Sequence, residues 1–323
     1  MINKIKKLKK IELHLHLDGS VPTDVLSKIT NIDEDTIKNQ VIAKDKCQNL
    51  SEYLTKFDLP IKYMQTKENL KTISKGLVDY LETQNVIYAE IRFAPILHTK
   101  KGLTYDEIIE SILDGLNQNK IVKTNLILCM MRGFPEEENL KIINLAKKYL
   151  NNGVCAIDLA GAEDKYPLSN YINLFNIAQS YNIPYTIHAG ENGSHKEIDL
   201  AIELKTKRIG HGIHANESIK TIENLHKNQI HLEICPTSNI QTNSIDTYDN
   251  HPIYTFYKEG IKLSINTDNK TISNISLNEE YLKLYEHFHF TIEDFIKMNE
   301  YALDDSFLNK KDKEELKIKL KQD

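Results

Sequence analysis

Eight short runs rich in Val, Ile and Tyr recur along the chain, at residues 11–17, 86–94, 121–130, 154–160, 184–190, 208–211, 230–235 and 262–267. Stretches of helical periodicity, such as 104–119, 136–150, 168–182 and 194–206, separate most of them. Short apolar runs bounded by turn residues read as buried strands, and an apolar repeat of 3.6 residues reads as an amphipathic helix. Strict alternation of the two folds as parallel strands joined by crossover helices. At 323 residues the chain could form two doubly wound halves or one large barrel. No glycine-rich nucleotide turn follows any of the runs, which argues against the halves. The expected fold is α/β, one (β/α)8 TIM-type barrel spanning residues 1–323.

One connection breaks the rhythm. About 70 residues lie between the first run and the second, and Ser51–Gln65 and Glu68–Gln84 within them read as helices. An insertion of that size on the active face of a barrel serves as a lid or specificity element, so a helical lid is expected over about 21–85. The segment Thr291–Asp323 reads as C-terminal helices ending in a solvated Lys/Glu-rich face.

Composition narrows the partners. The net charge of -5 provides no basic field for nucleic acid. No run approaches 18 consecutive apolar residues, and the lysine-rich first ten residues precede no apolar core, so neither a membrane span nor a secretory signal is expected. Cys47, Cys129, Cys155 and Cys235 lie far apart with no CxxC pair, which reads as free thiols in a reducing, cytoplasmic setting. The chain has three arginines, Arg92, Arg132 and Arg208.

In the first run, the strand period of two puts His14 and His16 on one face and Leu13, Leu15 and Leu17 on the other. Two imidazoles converging from a rigid strand suit a metal such as zinc. Spacing alone does not decide this. His287 and His289 share it, but within a helical stretch where i and i+2 diverge, and they read as surface residues. The first pair gains weight from other strand ends: His188-Ala-Gly-Glu191 after the fifth run, Gly210-His211-Gly212 after the sixth and Ser264-Ile-Asn-Thr-Asp268 after the eighth. In a barrel these ends open on one face, where active sites of this fold are built. Three histidines and a carboxylate there can hold one divalent ion and leave a water position open. His214 falls in the turn after His211 and reads as structural or substrate-adjacent, while His98, His195, His226, His231 and His251 read as satisfied surface or core residues.

Seven collinear blocks resemble the adenosine deaminase family of metal-dependent purine deaminases. They are His14-Leu-His-Leu-Asp-Gly-Ser20, Tyr88-Ala-Glu-Ile-Arg-Phe-Ala-Pro95, Ile157-Asp-Leu-Ala-Gly161, His188-Ala-Gly-Glu191, Arg208-Ile-Gly-His-Gly212, Leu232-Glu-Ile-Cys-Pro-Thr-Ser-Asn239 and Ser264-Ile-Asn-Thr-Asp268. The resemblance runs from about residue 11 to 290 and implies hydrolytic deamination of adenosine and 2′-deoxyadenosine, within purine salvage. It implies that His14, His16, His188 and Asp268 bind one Zn²⁺ per chain, which lowers the pKa of a bound water. His211 then corresponds to the residue that orients or deprotonates that water, and Glu191 to the acid that protonates purine N1. Gly161 matches the backbone contact to N3 and Asp18 the carboxylate that holds the ribose 5′-hydroxyl. Leu54, Phe57 and Met131 match apolar pocket walls. Ser238 and Asp158 match residues behind the metal ligands, and Arg92 and Arg208 are expected in buried ion pairs.

The chain departs from the family pattern at two places. Asn269 stands where a second aspartate is usual, and Ala162 follows Gly161 where an aspartate is common. The implied partners are an adenine nucleoside and water, with a free base or a modified adenine nucleoside as the alternative substrate. A two-metal amidohydrolase would need a carboxylated lysine at the end of the fourth run, and Cys155-Ala-Ile-Asp-Leu-Ala-Gly161 contains none. The cytidine-deaminase type of zinc site needs a Pro-Cys-x-x-Cys pair, which Cys235-Pro236 does not supply.

Overall fold

The computed structural model describes residues 1–321. Eight parallel strands appear where the apolar runs place them: β1 Lys10–His16, β2 Val86–Phe93, β3 Lys123–Met131, β4 Val154–Ala160, β5 Thr186–Ala189, β6 Arg208–His211, β7 His231–Ile234 and β8 Lys262–Ile265. Sequential neighbours pair in the orders β1-β2-β3-β4 and β5-β6-β7-β8. Two seams close the ring. Ile157 N–H donates to the Pro184 carbonyl at 3.0 Å between β4 and β5. At the other seam His16 N–H donates to Asp268 O at 2.7 Å and Asp268 N–H to His14 O at 3.0 Å. The barrel is thus closed by the backbone of the residues expected to bind metal. Every residue of β2 and of β4 is buried, as strands covered on one face by helices and on the other by the barrel interior must be.

Local sequence sets the crossover helices. Tyr105–Leu116 starts with a reciprocal capping box between Thr104 and Glu107. Glu136–Tyr149 carries three glutamates in its first turn and Lys147 and Lys148 in its last, both favourable to the helix dipole.

The long first connection is helical, but its division differs from the expectation. Lys67–Thr83 buries Leu70, Ile73, Leu77, Val78 and Leu81 on one face and leads directly into β2, so it is the crossover helix of the first β/α unit and not lid. The inserted part is shorter, comprising the helices Thr23–Thr30, Glu34–Val41, Leu50–Leu54 and Asp58–Tyr63 with a 3-10 turn at Thr55–Phe57. Helical periodicity reports an amphipathic helix without saying which surface it covers. The insertion is tied to the mouth of the barrel by Ala43 N–H to Ile272 O at 2.8 Å and Cys47 N–H to Gln241 O at 2.9 Å. The C-terminal helices are Ile292–Asp305 and Lys310–Leu320. The last two residues of the expected helical segment lie outside the described residues. No helix among the described residues is long and apolar enough to cross a membrane.

Candidate active site

The β1–β2 register shifts between Glu12 and Leu15, so β1 is irregular around His14. The Asn266 side chain compensates, its Oδ1 accepting from Leu13 N at 2.8 Å and His14 N at 3.1 Å. This local distortion aims His14 and His16 into one space, as bulges beside active sites do. His16 Nε2 lies 3.3 Å from His188 Nε2, and Asp268 Oδ1 lies 3.4 Å from His14 Nε2 and 3.3 Å from His16 Nε2. One ligand atom from each of His14, His16, His188 and Asp268 falls within 4.8 Å of the others.

Two of the imidazoles have a carboxylate on their far side. His14 Nδ1 bonds Glu233 Oε2 at 2.9 Å, and His188 Nδ1 sits 2.9 Å from Asp158 Oδ2. At His14, an Nδ1–H bonded to a carboxylate leaves Nε2 as the lone-pair nitrogen, and that Nε2 is buried with no hydrogen-bond partner. That set of donors fits a divalent cation. Burial also holds His16 well below the ordinary histidine range, with its partly compensating neighbour Asp268 unable to restore it, so its ring is neutral. Ser238 Oγ donates to Asp268 Oδ2 at 2.6 Å, leaving Oδ1 for the cluster.

Beneath the histidines lies a buried ionic layer. Arg92 bridges Asp158 at 2.8 Å and Glu233 at 2.7 Å, and Arg208 bridges Glu233 at 2.7 Å and Glu90 at 2.5 Å. Burial alone would raise the Glu233 carboxyl, but the two guanidinium groups outweigh it and hold it well below the usual range. Glu233 is therefore a fixed anion that orients His14. Arg92 and Arg208 form the expected ion pairs.

A cavity opens above the cluster. Its lining includes His16, Asp18, Leu54, Phe57, Met131, Gly161, His188, Glu191, His211, Asp268 and Asn269, and neither lysine nor arginine contributes to it. Each residue assigned to the pocket from sequence is thus brought to one place, with His14 directly behind. Gly161 has φ +107°, in the left-handed region that glycine enters without strain, and it lines the cavity. His211 and Asp268 adopt φ 63° and 58° without being glycine. Each such residue costs about 1 kcal/mol or more, which the surrounding bonds must hold, and such strain gathers at functional sites.

Glu191 is buried, and desolvation, with the Asp268 charge second, pushes its carboxyl up to about 8. Its Oε2 lies 3.7 Å from His211 Nε2. Burial likewise raises Asp18 to about 7, and its Oδ1 has no hydrogen-bond partner. Asn269 Oδ1 occupies the space a Cβ on Gly19 would fill and is also unpartnered.

Sequence reasoning missed four groups here. Glu233 lies within the Leu232–Asn239 block, whose pattern assigns it no role. Asn239 and His251 form a chain to His211: Ile253 N–H donates to His251 Nδ1 at 3.2 Å, His251 Nε2 meets Asn239 Oδ1 at 3.2 Å, and Asn239 Nδ2 meets His211 Nδ1 at 2.9 Å. From sequence His251 reads as a satisfied histidine, because its link to His211 runs through the side chain of Asn239. Tyr53, from the insertion, lines the cavity and shares a 2.7 Å hydrogen bond with Ser273. The remaining histidines behave as expected. His287 and His289 are exposed, His214 pairs with Glu217 at 2.9 Å outside the cavity lining, and His98 and His231 are buried with Met64 O and Asp305 as partners.

A family model described as adenosine deaminase matches residues 9–322. A protein named adenosine deaminase from Clostridium botulinum is 40% identical over 324 residues, covering 97% of this chain and 98% of its own. Among solved structures, the N6-methyl-AMP deaminase of Arabidopsis thaliana superposes with a TM-score of 0.86 at 25% identity, covering 99% of this chain and 98% of that one. A zinc-bound amidohydrolase of Burkholderia ambifaria shares the fold, with a TM-score of 0.90 at 21% identity over 99% of this chain and 91% of that one. With six of the seven motif blocks lining one cavity, the seventh bonded to its histidines and Asp268 from behind, and full-length relatives in both comparisons, the chain belongs to the adenosine deaminase family.

Proposed function

We propose that this enzyme, a hydrolytic deaminase, converts adenosine and 2′-deoxyadenosine to inosine and 2′-deoxyinosine plus ammonia, using one Zn²⁺ held by His14, His16, His188 and Asp268. The observation that carries the reading is the convergence of four ligand atoms within 4.8 Å beneath a cavity that also presents Glu191 and His211. Zinc bound there would lower the pKa of a coordinated water and provide hydroxide near neutral pH.

The protein's own groups do the rest. Glu191, raised to about 8, holds a proton at neutral pH and delivers it to purine N1, which makes C6 electrophilic. His211 has two roles open to it, and the Asn239–His251 chain supports one. Burial draws His251 down to about 3, so it is neutral, and with Nδ1 accepting from Ile253 its proton is on Nε2. Asn239 then presents Oδ1 to His251 and Nδ2–H to His211 Nδ1. A neutral His211 carries its proton on Nε2 and acts as a donor that orients the nucleophile and offsets charge developing at C6. The Gly161 N–H meets N3, Asp18 accepts the 5′-hydroxyl, and the Asn269 Nδ2 donates to N7. Leu54, Phe57 and Met131 pack against the nucleoside.

Substrate class follows from charge. A cavity without lysine or arginine, with a buried carboxyl at Asp18, suits an uncharged 5′ end and not a phosphate. The lysine that a bridged two-metal site needs is absent from β4. We read residues 1–323 as a single catalytic domain in which the inserted helices form the lid, because Leu50, Tyr53, Leu54, Phe57 and Ile61 line the cavity. Four buried free cysteines support a reducing compartment, which we take as the cytoplasm, and purine salvage as the role. Ammonia release from a panel of adenosine, 2′-deoxyadenosine, N6-methyladenosine, adenine and AMP tests the assignment, with adenosine and 2′-deoxyadenosine expected to lead it.

A further inference from the structure

Four consecutive backbone amides, those of Gly190, Glu191, Asn192 and Gly193, point at one side chain. Glu163 Oε1 accepts from Gly190 N at 2.6 Å, and Oε2 accepts from Glu191 N at 2.9 Å, Asn192 N at 3.0 Å and Gly193 N at 3.0 Å. Glu163 is 4% exposed, so these bonds form away from competing water. A concave row of N–H groups is a natural anion cradle, and bonds to an ionised acceptor are about twice as strong as neutral ones. The fit is tight, because a Cβ on Gly193 would lie 2.8 Å from the Glu163 carboxyl. Among the Gly190–Gly193 segment, only a glycine at 193 leaves room for this grip.

The anchoring side is itself fixed. Glu163 stands two residues after Gly161, in the segment that follows β4. Arg132 ties that segment down, donating from Nη1 to Tyr166 O at 2.5 Å and from Nη2 to His188 O at 2.7 Å. One short segment therefore bears both Gly161, which faces the cavity, and the carboxylate that holds the loop carrying Glu191.

We propose that Glu163 is a positioning residue for the reaction, fixing the Gly190–Gly193 loop so that the Glu191 carboxyl is held against the substrate that Gly161 contacts. This rests on the reading of Glu191 as the acid. Glu163 touches no reacting atom. A general acid displaced by about 1 Å can lose about 10²-fold in rate, whereas the nucleoside's own contacts, at Gly161, Asp18 and Asn269, lie outside the 190–193 loop that Glu163 holds.

The test combines residue-resolved amide hydrogen exchange with steady-state kinetics on the full chain, with rates expressed per bound metal. In Glu163→Ala the amides of 190–193 should lose at least tenfold in exchange protection while those of β1–β8 keep theirs. Its kcat should fall about 10²-fold with KM changed less than about threefold. Glu163→Gln guards against a variant that fails to fold. Its amide oxygen can occupy the three-bond Oε2 position while its NH₂ faces Gly190 N–H, so Gly190 alone should lose protection and kcat should lie between the other two proteins. Unchanged exchange at 190–193 in both variants, or a fall in kcat matched by an equal rise in KM, would overturn the proposal. Glu191→Gln separates the two readings. It should retain exchange protection at 190–193, and if it also retained turnover, the role of Glu191 would fail while the grip of Glu163 on the loop was still read directly by exchange.

Discussion

Asn239 presents its side-chain Nδ2 to Nδ1 of His211 at 2.9 Å, and so decides which ring nitrogen of His211 carries the proton. The decision originates in a backbone N–H, that of Ile253, and is passed through the His251 ring. A carboxylate is acceptor-only, so Asn239→Asp should reverse the relation, taking a proton from Nδ1 and leaving Nε2 as a lone pair. The ¹⁵N resonances of His211 should exchange character between native and variant protein, and kcat should fall about 10²-fold, as when one preorganised donor is lost. Identical ¹⁵N signals in the two proteins would show that Asn239 does not set the tautomer.

Glu191, as the proposed acid, should set the alkaline limit. The acid works only when protonated, so the active form is present below its pKa and is lost as pH rises through it. Burial and Asp268 bring the carboxyl up to about 8, and a bound cation nearby lowers that value. kcat/KM should therefore decline on the alkaline side with an apparent pKa at or below about 8. Glu191→Gln should lower kcat by about 10² to 10⁴-fold and abolish that limb. Survival of the limb in the variant would assign it to another group.

The barrel and the convergence of His14, His16, His188 and Asp268 were legible because both are written in local pattern. Strand length and turn punctuation give β1–β8, and the strand period puts His14 and His16 on one face. What was not legible depends on side chains meeting across the sequence. Glu163 reaches a loop 27 to 30 residues away. His251 acts on His211 only through Asn239, and a lone histidine or glutamate carries no periodic signal. The boundary of the insertion was misplaced for a related reason, since Lys67–Thr83 has the same amphipathic pattern whether it covers the mouth or the barrel wall.

Asp18 should discriminate against phosphate. A phosphate dianion seated there would be buried beside a carboxyl that burial already raises to about 7, and no cation lines the cavity to compensate either charge. AMP should be at least about 10²-fold poorer than adenosine in kcat/KM, and Asp18→Asn should narrow the gap. Equal kcat/KM for the two substrates in native protein would remove Asp18 from the 5′ end.

Asn269 should replace the usual aspartate without loss of function. Its NH₂ can donate to N7 at any ordinary pH, whereas a carboxylate must first acquire a proton. The ratio of kcat/KM for adenosine to that for 7-deazaadenosine, compared between native and Asn269→Ala protein, cancels the electronic difference between the two purines. Loss of one buried hydrogen bond should shrink that ratio by about 1 to 3 kcal/mol, or about 5 to 150-fold. An unchanged ratio would mean that Asn269 does not touch N7.

The central claim is that one zinc ion, held by His14, His16, His188 and Asp268, supports adenosine deamination. Metal-stripped protein titrated with Zn²⁺, with adenosine conversion to inosine followed at each addition, tests it directly. Activity should be absent at the start, rise linearly and level off at one equivalent per chain. Turnover without metal, or a break at two equivalents, would contradict it.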